Sequence, residues 1–144
     1  MPNIKLTSDE MQYIAIFESI TGATTRDCVY DEHMNRLIFL VKPGEVGMAV
    51  GKNGAKIRQL RKLFGKNIEV VEYAETPEKL IANCLFPARV LSVRITKTAD
   101  GRKIAIVTVD PSHKGIAIGR EGRNISKARI LAKRYFDIDN VIIA

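Results

Sequence analysis

The sequence predicts an α+β protein made of two similar domains, and three observations lead to that prediction. First, residues 50–57 return 68 positions later as residues 118–125, with matching flanks on both sides. Second, each copy contains apolar residues at helical spacing as well as short alternating segments rich in β-branched residues. Third, about seventy residues per copy are enough for a small domain. We therefore expect domains at 1–74 and 75–144, each ordered helix, strand, strand, helix, helix, strand, with a three-stranded sheet packed against helices.

The first copy opens with a helix whose two ends carry recognisable signals. Thr7, followed three residues later by Glu10, forms the pattern of a capping box, and Gly22 marks the C-terminal end. Apolar residues at helical spacing predict the buried face of this helix, namely Tyr13, Ile16, Phe17 and Ile20.

The rest of the first copy alternates between strand and helix signals. Segments rich in β-branched and aromatic residues at 23–30 and 36–41 predict a hairpin, and Pro43 ends its second strand. The remaining elements are predicted as a short helix at 45–50, a tight loop at 51–54, a longer helix at 55–64 and a strand at 68–73. Three residues of the longer helix are expected to face the core, namely Ile57, Leu60 and Phe64.

The second copy repeats this order. Thr76 and Pro77 supply an N-cap and a first-turn proline for a helix with the apolar stripe Leu80, Ile81, Cys84 and Leu85. Asp100-Gly101 is a strong hairpin signal between strands predicted at 90–97 and 103–109. The copy ends with a short helix at 112–118, a loop at 119–122, a long helix at 123–136 and a strand at 140–143. Because only Ala74-Glu75 lies between the copies, we expect the domains to pack in a fixed relation.

Positive charge is concentrated in the second copy. The chain carries 23 Lys+Arg against 16 Asp+Glu, which gives a net charge of +7. Residues 1–74 hold ten basic and nine acidic side chains, whereas residues 75–144 hold thirteen and seven. A basic surplus of this kind favours a polyanionic partner.

The composition also indicates where in the cell the protein is expected. No apolar run approaches the ~18 residues that a membrane span requires, and the first residues have no signal-peptide character. We therefore expect a soluble, cytoplasmic protein with no membrane partner. Cys28 and Cys84 have no Cys or His at metal-ligand spacing and are predicted to be reduced core residues, although the sequence leaves a disulfide between them open.

The repeated glycine pairs are the strongest functional signal in the sequence. Gly51 and Gly54 frame one loop, and Gly119 and Gly122 frame the other, each just before a long helix. Glycine allows a sharp turn and a close approach of another chain, and the N-terminus of a helix presents N–H groups and a positive dipole end. An anion such as a phosphate is therefore expected at both loops.

Basic residues surround the predicted anion sites. Lys52 and Arg120 lie within the loops, and the basic surface is expected to continue along the next helices through Lys56, Arg58, Arg61, Lys62 and Lys66, and through Arg123, Lys127, Arg129, Lys133 and Arg134. For most of these side chains a solvated helix face explains the pattern equally well. The apolar residues beside the loops are expected mainly in the core, and they are also candidates for the floor of a groove that holds bases: Val50, Ile57, Ile68, Ile118, Ile125 and Val141.

The loops and their surroundings resemble a known family. The pattern Ile/Val-Gly-x-x-Gly-x-x-Ile within this element order resembles the type II KH domain, whose loop clamps a single strand over about four nucleotides. Two such domains in tandem, with Gly-Arg-Glu-Gly-Arg-Asn-Ile in the second, are similar over essentially the whole chain to the archaeal NusA-like transcription factors.

This resemblance implies a non-enzymatic protein that binds single-stranded RNA, namely the nascent transcript, and acts in transcription termination or antitermination. The implied RNA-binding residues are Gly51, Lys52, Asn53, Gly54, Lys56 and Arg58 in the first domain, and Gly119, Arg120, Glu121, Gly122, Arg123 and Lys127 in the second. Because the carboxylate of Glu121 should repel phosphate, the second loop is expected to rely more on Arg120, Arg123 and Lys114. No cofactor or metal is implied. The alternative is a protein that binds ribosomal RNA or assists ribosome assembly.

RNA polymerase is a further partner to consider. The larger bacterial NusA proteins carry an N-terminal polymerase-binding domain and an S1-type domain, for which 144 residues leave no space. The resemblance therefore supports RNA binding more directly than contact with polymerase.

Other functional classes fit the sequence less well. Residues 47–53 resemble a nucleotide-binding P-loop, but the spacing is one residue short and no Ser or Thr follows Lys52. We interpret Asp137 and Asp139 as a turn rather than as metal ligands, and His33 and His113 as surface residues. No arrangement of nucleophile and base indicates catalysis, so neither a nuclease nor a GTPase is predicted.

Overall fold

The computed structural model describes residues 4–144, which form two compact units: one is Lys5–Tyr73, and the other is Ala74–Ala144 together with Ile4. The first unit contains α1 (Ser8–Thr21), β1 (Thr25–Asp31), β2 (Arg36–Val41), α2 (Val46–Val50), α3 (Ala55–Phe64) and β3 (Asn67–Glu72). The second contains α4 (Pro77–Leu85), β4 (Val90–Lys97), β5 (Lys103–Val109), α5 (Lys114–Ile118), α6 (Arg123–Phe136) and β6 (Asn140–Ile143). The predicted element order is therefore confirmed in both copies, with element ends within about two residues of their predicted positions.

Helix α1 has the predicted capping box. The backbone N–H of Thr7 donates to Glu10 Oε1 at 2.8 Å, and the N–H of Glu10 donates to Thr7 Oγ1 at 3.2 Å. One prediction about its buried face is wrong, because Ile16 is exposed and Ile14 packs against the core instead. The buried face is centred between Phe17 and Thr21, which places Ile16 on its flank.

Each unit contains a mixed three-stranded sheet in chain order. In the first sheet β1 pairs antiparallel with β2, and β2 pairs parallel with β3. The second sheet has the same arrangement of β4, β5 and β6. A parallel pair needs a crossover connection, and here the two helices that flank the glycine loop supply it. This topology places both loops on the crossover between the last two strands of their sheets.

The core of the first unit lies between its sheet and helices α1 and α3. The Phe17 and Phe39 rings stack with centroids 4.0 Å apart, and Leu60 from α3 is fully buried in the same cluster. Ile57 and Phe64 pack against that cluster, so the predicted inward face of α3 is confirmed. Both faces of β2, the central strand of the sheet, are buried.

A buried ion triad joins the three strands of the first sheet at one end. Arg36 Nε lies 2.8 Å from Asp31 Oδ2, and Arg36 Nη1 lies 2.6 Å from Glu69 Oε2. Arg36 is 1% exposed, so these two carboxylates compensate a guanidinium that is removed from water. In the second copy Ile104 stands at the position equivalent to Arg36, so the repeat does not preserve the triad.

The second unit has an apolar core beneath a more exposed sheet. The predicted stripe of α4 is confirmed, since Leu80, Ile81, Cys84 and Leu85 are all fully buried. Cys28 and Cys84 are buried thiols, as the sequence predicted. Strand β4 is an edge strand that lies mostly in solvent.

Asp137 and Asp139 form the predicted turn between α6 and β6. Asp137 adopts φ 55° at the end of α6, and Lys133 Nζ lies 2.8 Å from Asp137 Oδ1 and 3.0 Å from Asp139 Oδ1. The other Asp139 carboxylate oxygen accepts the backbone N–H of Lys103 at 2.8 Å, which ties this turn to the start of β5. In residues 4–144, no group of three or more His, Cys, Asp or Glu side chains could hold a metal ion.

Candidate nucleic-acid interface

The two glycine loops have nearly identical backbone conformations. Gly51 and Gly119 both adopt φ 79° and ψ 168°. The third loop residues, Asn53 and Glu121, are left-handed at φ 55° and φ 58°. Gly54 and Gly122 follow with φ 73° and φ 76°, and each donates its N–H to the carbonyl of the first glycine in its loop at 3.1 Å. The sequence repeat is therefore a repeat of local geometry as well.

The first glycine of each loop is required by both conformation and space. Its φ and ψ fall in a region that is essentially restricted to glycine. A Cβ added to Gly51 would lie 3.0 Å from the backbone nitrogen of Lys56, and one added to Gly119 would lie 2.9 Å from that of Asn124. The second glycine is less constrained. A Cβ on Gly54 would lie 3.4 Å from Arg58 Nη1, and one on Gly122 would lie 3.8 Å from Ile125.

A long helix begins directly after each loop. Helix α3 starts at Ala55 and α6 starts at Arg123, and neither helix has an acidic residue in its first turn. The first N–H groups of a helix and its dipole favour a negative charge at this position. The arrangement predicted for an anion is therefore present at both loops.

Four cations stand exposed at the loops. Lys52 and Arg120 lie within them, and Arg58 and Arg123 lie on the helices that follow. The guanidinium of Arg58 folds back and donates to the carbonyl of Asn53. It therefore supports the left-handed turn while it remains beside the loop. The contact of these four cations with phosphate stays a prediction.

Lys127 and Lys56, which the sequence predicts as RNA-binding residues, have ammonium groups that lie against protein oxygens. Lys127 does not continue the exposed basic surface, because its side chain is 7% exposed and its ammonium lies 3.4 Å from Asn124 Oδ1. It lies one turn before Leu131 on a wide buried face of α6, which explains the burial of a basic residue there. Lys56 is half-buried, and its ammonium donates to the carbonyl of Thr21 at 3.1 Å.

Three of the six residues considered for a groove floor lie in the core, which is the role that the sequence favoured for them. Ile68, Ile125 and Val141 are buried, which excludes them as exposed base contacts in this conformation. Ile118, just before the second loop, is 44% exposed and fits the prediction.

The short helices before the loops present an apolar surface that the sequence patterns did not predict. Met48 on α2 is 45% exposed and Ile116 on α5 is 42% exposed. They stand three residues before the first glycine of their loops, so the repeat itself contained the signal. An apolar surface beside a predicted anion site suits a nucleotide, because its base and its phosphate differ in polarity.

His113 has a structural role rather than the predicted surface one. It is half-buried, and its Nδ1 accepts the backbone N–H of Arg89 at 2.9 Å. The carbonyl of Arg89 accepts the N–H of Asp110 at 3.0 Å. Hydrogen bonds from the side chain and then the backbone of Ser112 lower the pKa of Asp110. Together these contacts fix the turn that leads from β5 into α5.

Within the described part of the chain, no helix is both long and apolar enough to cross a membrane.

Comparisons with known proteins agree with this geometry. Residues 11–76 match the family model described as a KH domain, and residues 77–144 match the model of the NusA-like second KH domain. The chain is 40% identical to the "Probable transcription termination protein NusA" of Halococcus morrhuae, over 98% of this chain and 99% of that one. It is 38% identical to the protein of the same name from Halobacterium salinarum, over 96% of both.

A solved structure shares the fold of the whole chain. It is the crystal structure of APE1850, which is 40% identical, superposes with a TM-score of 0.87, and is matched over 96% of this chain and 100% of that one.

Proposed function

The chain belongs to the archaeal NusA-like family of tandem KH proteins, and from this membership we propose that it binds single-stranded RNA through both glycine loops and acts in transcription termination. The observation that supports this most is the repetition of one loop geometry. Both loops combine a bare backbone, a helix N-terminus and an exposed cation, namely Lys52 or Arg120. In KH domains such a loop clamps about four nucleotides of backbone.

The proposed mode of binding separates affinity from base preference. Phosphates would lie at the loops, where N–H groups and cations stabilise negative charge. Bases would lie against the exposed apolar residues of α2 and α5, such as Met48 and Ile116. The nascent transcript fits this mode, because its bases are unpaired as it emerges. RNA polymerase would be the second partner in termination.

Salt dependence is the first test of RNA binding. The affinity for a labelled single-stranded RNA of about twelve nucleotides should fall as salt rises, because bound cations release counterions from the RNA. With the four exposed cations at the loops as contacts, log K against log[salt] should have a slope of about −3. An affinity that does not change with salt would contradict phosphate binding at the loops.

The two loops can be compared through matched acidic variants. Lys52→Asp with Asn53→Asp creates a Gly-Asp-Asp-Gly loop, and Arg120→Asp alone creates Gly-Asp-Glu-Gly. Aspartate tolerates the left-handed conformation of Asn53, so the fold should persist. Each variant should weaken RNA binding by about tenfold or more, since charged hydrogen bonds are lost. The loss should be larger for Arg120, because the second copy carries most of the positive charge.

Lys97 provides the control for a change of charge alone. Lys97 is exposed and lies opposite Lys103 in the antiparallel pairing of β4 with β5. The backbone N–H of Lys103 donates to Asp139, which follows the C-terminal end of α6. The loop lies at the other end of this 14-residue helix, about 20 Å away. Lys97→Asp should therefore reduce affinity for RNA only slightly.

Equal losses of RNA affinity in the two loop variants would show that the charge asymmetry between the copies does not affect binding.

The role in termination requires a test in cells. Crosslinking of RNA to the protein, followed by sequencing, should recover the 3′ regions of transcripts. Recovery of ribosomal RNA instead would favour a role in ribosome assembly. Co-purification of RNA polymerase should then be compared before and after nuclease treatment. Polymerase that stays bound without RNA indicates direct contact, and polymerase that is lost indicates contact through the transcript alone.

A further inference from the structure

The residue five positions after the first glycine contacts the start of each loop. In the first domain this residue is Lys56, and a Cβ on Gly51 would lie 2.8 Å from its Cγ. In the second domain it is Asn124, and a Cβ on Gly119 would lie 3.1 Å from its Cγ. The two side chains differ in chemistry, yet both occupy the angle between the short helix, the loop and the long helix.

In the second domain Asn124 joins the two helices that flank the loop. Its Nδ2 donates to the carbonyl of Ile116 on α5 at 2.8 Å, although Asn124 itself belongs to α6. Its Oδ1 lies 3.4 Å from the ammonium of the buried Lys127, which can only donate. Lys127 thereby fixes which end of the amide faces Ile116. The chain of contacts runs from Lys127 through Asn124 to the helix that precedes the loop.

In the first domain Lys56 makes a comparable connection to a different element. Its ammonium donates to the carbonyl of Thr21, the last residue of α1, at 3.1 Å. A cation is favourable at the C-terminal end of a helix, where carbonyl groups carry partial negative charge. The same position in both domains therefore connects the long helix to a neighbouring helix.

We propose that Lys56, Asn124 and Lys127 are positioning residues that hold the glycine loops in their RNA-binding conformation, and that neither Lys56 nor Lys127 contacts phosphate. This inference rests on the proposed binding of RNA at the loops. It divides the basic residues near the loops into two classes. Lys52 and Arg120 are exposed within the loops, whereas the ammonium groups of Lys56 and Lys127 are engaged with protein oxygens.

Affinity and its salt dependence together separate the two classes. Binding of a labelled single-stranded RNA of about twelve nucleotides is measured across a salt series. Asn124→Ala, Lys127→Met and Lys56→Met should each weaken binding about fivefold, the effect expected from one net hydrogen bond, while the slope stays that of the wild type. Arg120→Gln should weaken binding and also reduce the slope by about 0.7. A slope reduced by about 0.7 in Lys127→Met or Lys56→Met would overturn the assignment, as would unchanged affinity in Asn124→Ala.

The NMR signals of the loop amides in the RNA-free protein provide the second readout. The amide resonances of residues 119–122 should shift in Asn124→Ala and in Lys127→Met, while those of residues 51–54 stay in place. A loss of general stability alone would not shift one loop selectively. Unshifted loop signals in a folded Asn124→Ala variant would overturn the inference even if the wild type binds RNA. A wild-type protein that binds no RNA would instead refute the proposed function. The amide resonances of residues 119–122 would still test whether Asn124 and Lys127 hold the second loop in place.

Discussion

At the scale of single residues, the two glycines of each loop serve different purposes. Gly51 and Gly119 lie where a side chain meets the backbone of the following helix, whereas Gly54 and Gly122 need only a left-handed conformation. Asparagine and aspartate adopt that conformation with little strain. The first glycine is therefore needed for folding of the loop by both space and conformation, whereas the second is constrained by its left-handed φ alone.

Substitutions at these two positions should separate stability from binding. Gly51→Ala should destabilise the first domain by about 1–3 kcal/mol, since it forces a strained backbone and a short contact with Lys56. Gly54→Asp should destabilise the domain less, by about 1 kcal/mol, because a φ of 73° strains any side chain although aspartate less than most. It should also weaken RNA binding, because it places a carboxylate at the proposed phosphate site. Urea unfolding and RNA titration of both variants check this. Equal destabilisation by the two changes would contradict the distinction.

The sequence predicted which residues surround the loop better than what their side chains do. The motif identified Lys52 and Arg120, because a residue between two glycines has little opportunity to be buried. The motif did not show that Lys56 and Lys127 are engaged with protein oxygens, since hydrogen bonds to distant carbonyls leave no pattern in sequence. Burial of Lys127 depends on how much of α6 is covered, and that is a tertiary property.

At the scale of elements, local signals predicted helices and turns closely. Helix α1 begins and ends at its capping box and glycine, and α6 spans the predicted residues. These signals act within a few residues, so they are readable without the fold. The burial of both faces of β2 was not readable, because a sequence of apolar residues does not show what covers them.

The triad of the first sheet gives a prediction about stability. Arg36→Met removes the cation and leaves Asp31 and Glu69 without its compensating charge. The variant should be destabilised by about 3–5 kcal/mol in chemical denaturation. The matched triple variant, which adds Asp31→Leu and Glu69→Leu, should recover most of that loss, since well-packed apolar residues can replace a buried ion group. A triple variant as unstable as the single one would show that the triad contributes more than charge compensation.

The turn after α6 gives a prediction about pH. The backbone N–H of Lys103 and, second, the ammonium of Lys133 lower the pKa of Asp139 below its ordinary value of 3.8. The ionised carboxylate therefore stabilises the folded state above that pH, and the contribution is lost as pH falls through the lower folded pKa. Asp139→Asn should lower the melting temperature at neutral pH. The difference from wild type should shrink below about pH 4.

Lys133 shows the opposite dependence at alkaline pH. Hydrogen bonds to Asp137 and then Asp139 raise its pKa above 10.5, so its contribution to the stability of the fold persists below that pH and is lost only as pH rises further.

The acid-range prediction has a clear contradicting outcome. If the difference in melting temperature between Asp139→Asn and wild type stays constant from neutral pH into the acid range, the ionised carboxylate does not stabilise the fold.

At the scale of the whole molecule, the division into two domains was the most secure inference from sequence. A repeat of 68 residues can be read directly, and two family models match the two halves. The boundaries 1–74 and 75–144 remain a proposal about which segments fold as units. Duplication of the glycine loop would strengthen RNA binding only if one RNA molecule reaches both copies.

The length of the RNA determines whether the two loops act together. If both loops engage one strand, the second contact is intramolecular and overall affinity rises by about 10²–10⁴ over that of either domain. A variant in one loop, Lys52→Asp with Asn53→Asp, should therefore lose about a hundredfold in affinity for an RNA of about twelve nucleotides. For an RNA of about four nucleotides, which one domain can hold, the same variant should lose one binding site per chain while the remaining site keeps its dissociation constant. Calorimetric titration gives both the stoichiometry and the affinity. If the variant also loses only one site for the long RNA, with an unchanged dissociation constant at the remaining site, the two domains bind independently. The duplication would then raise the number of binding sites rather than the strength of binding.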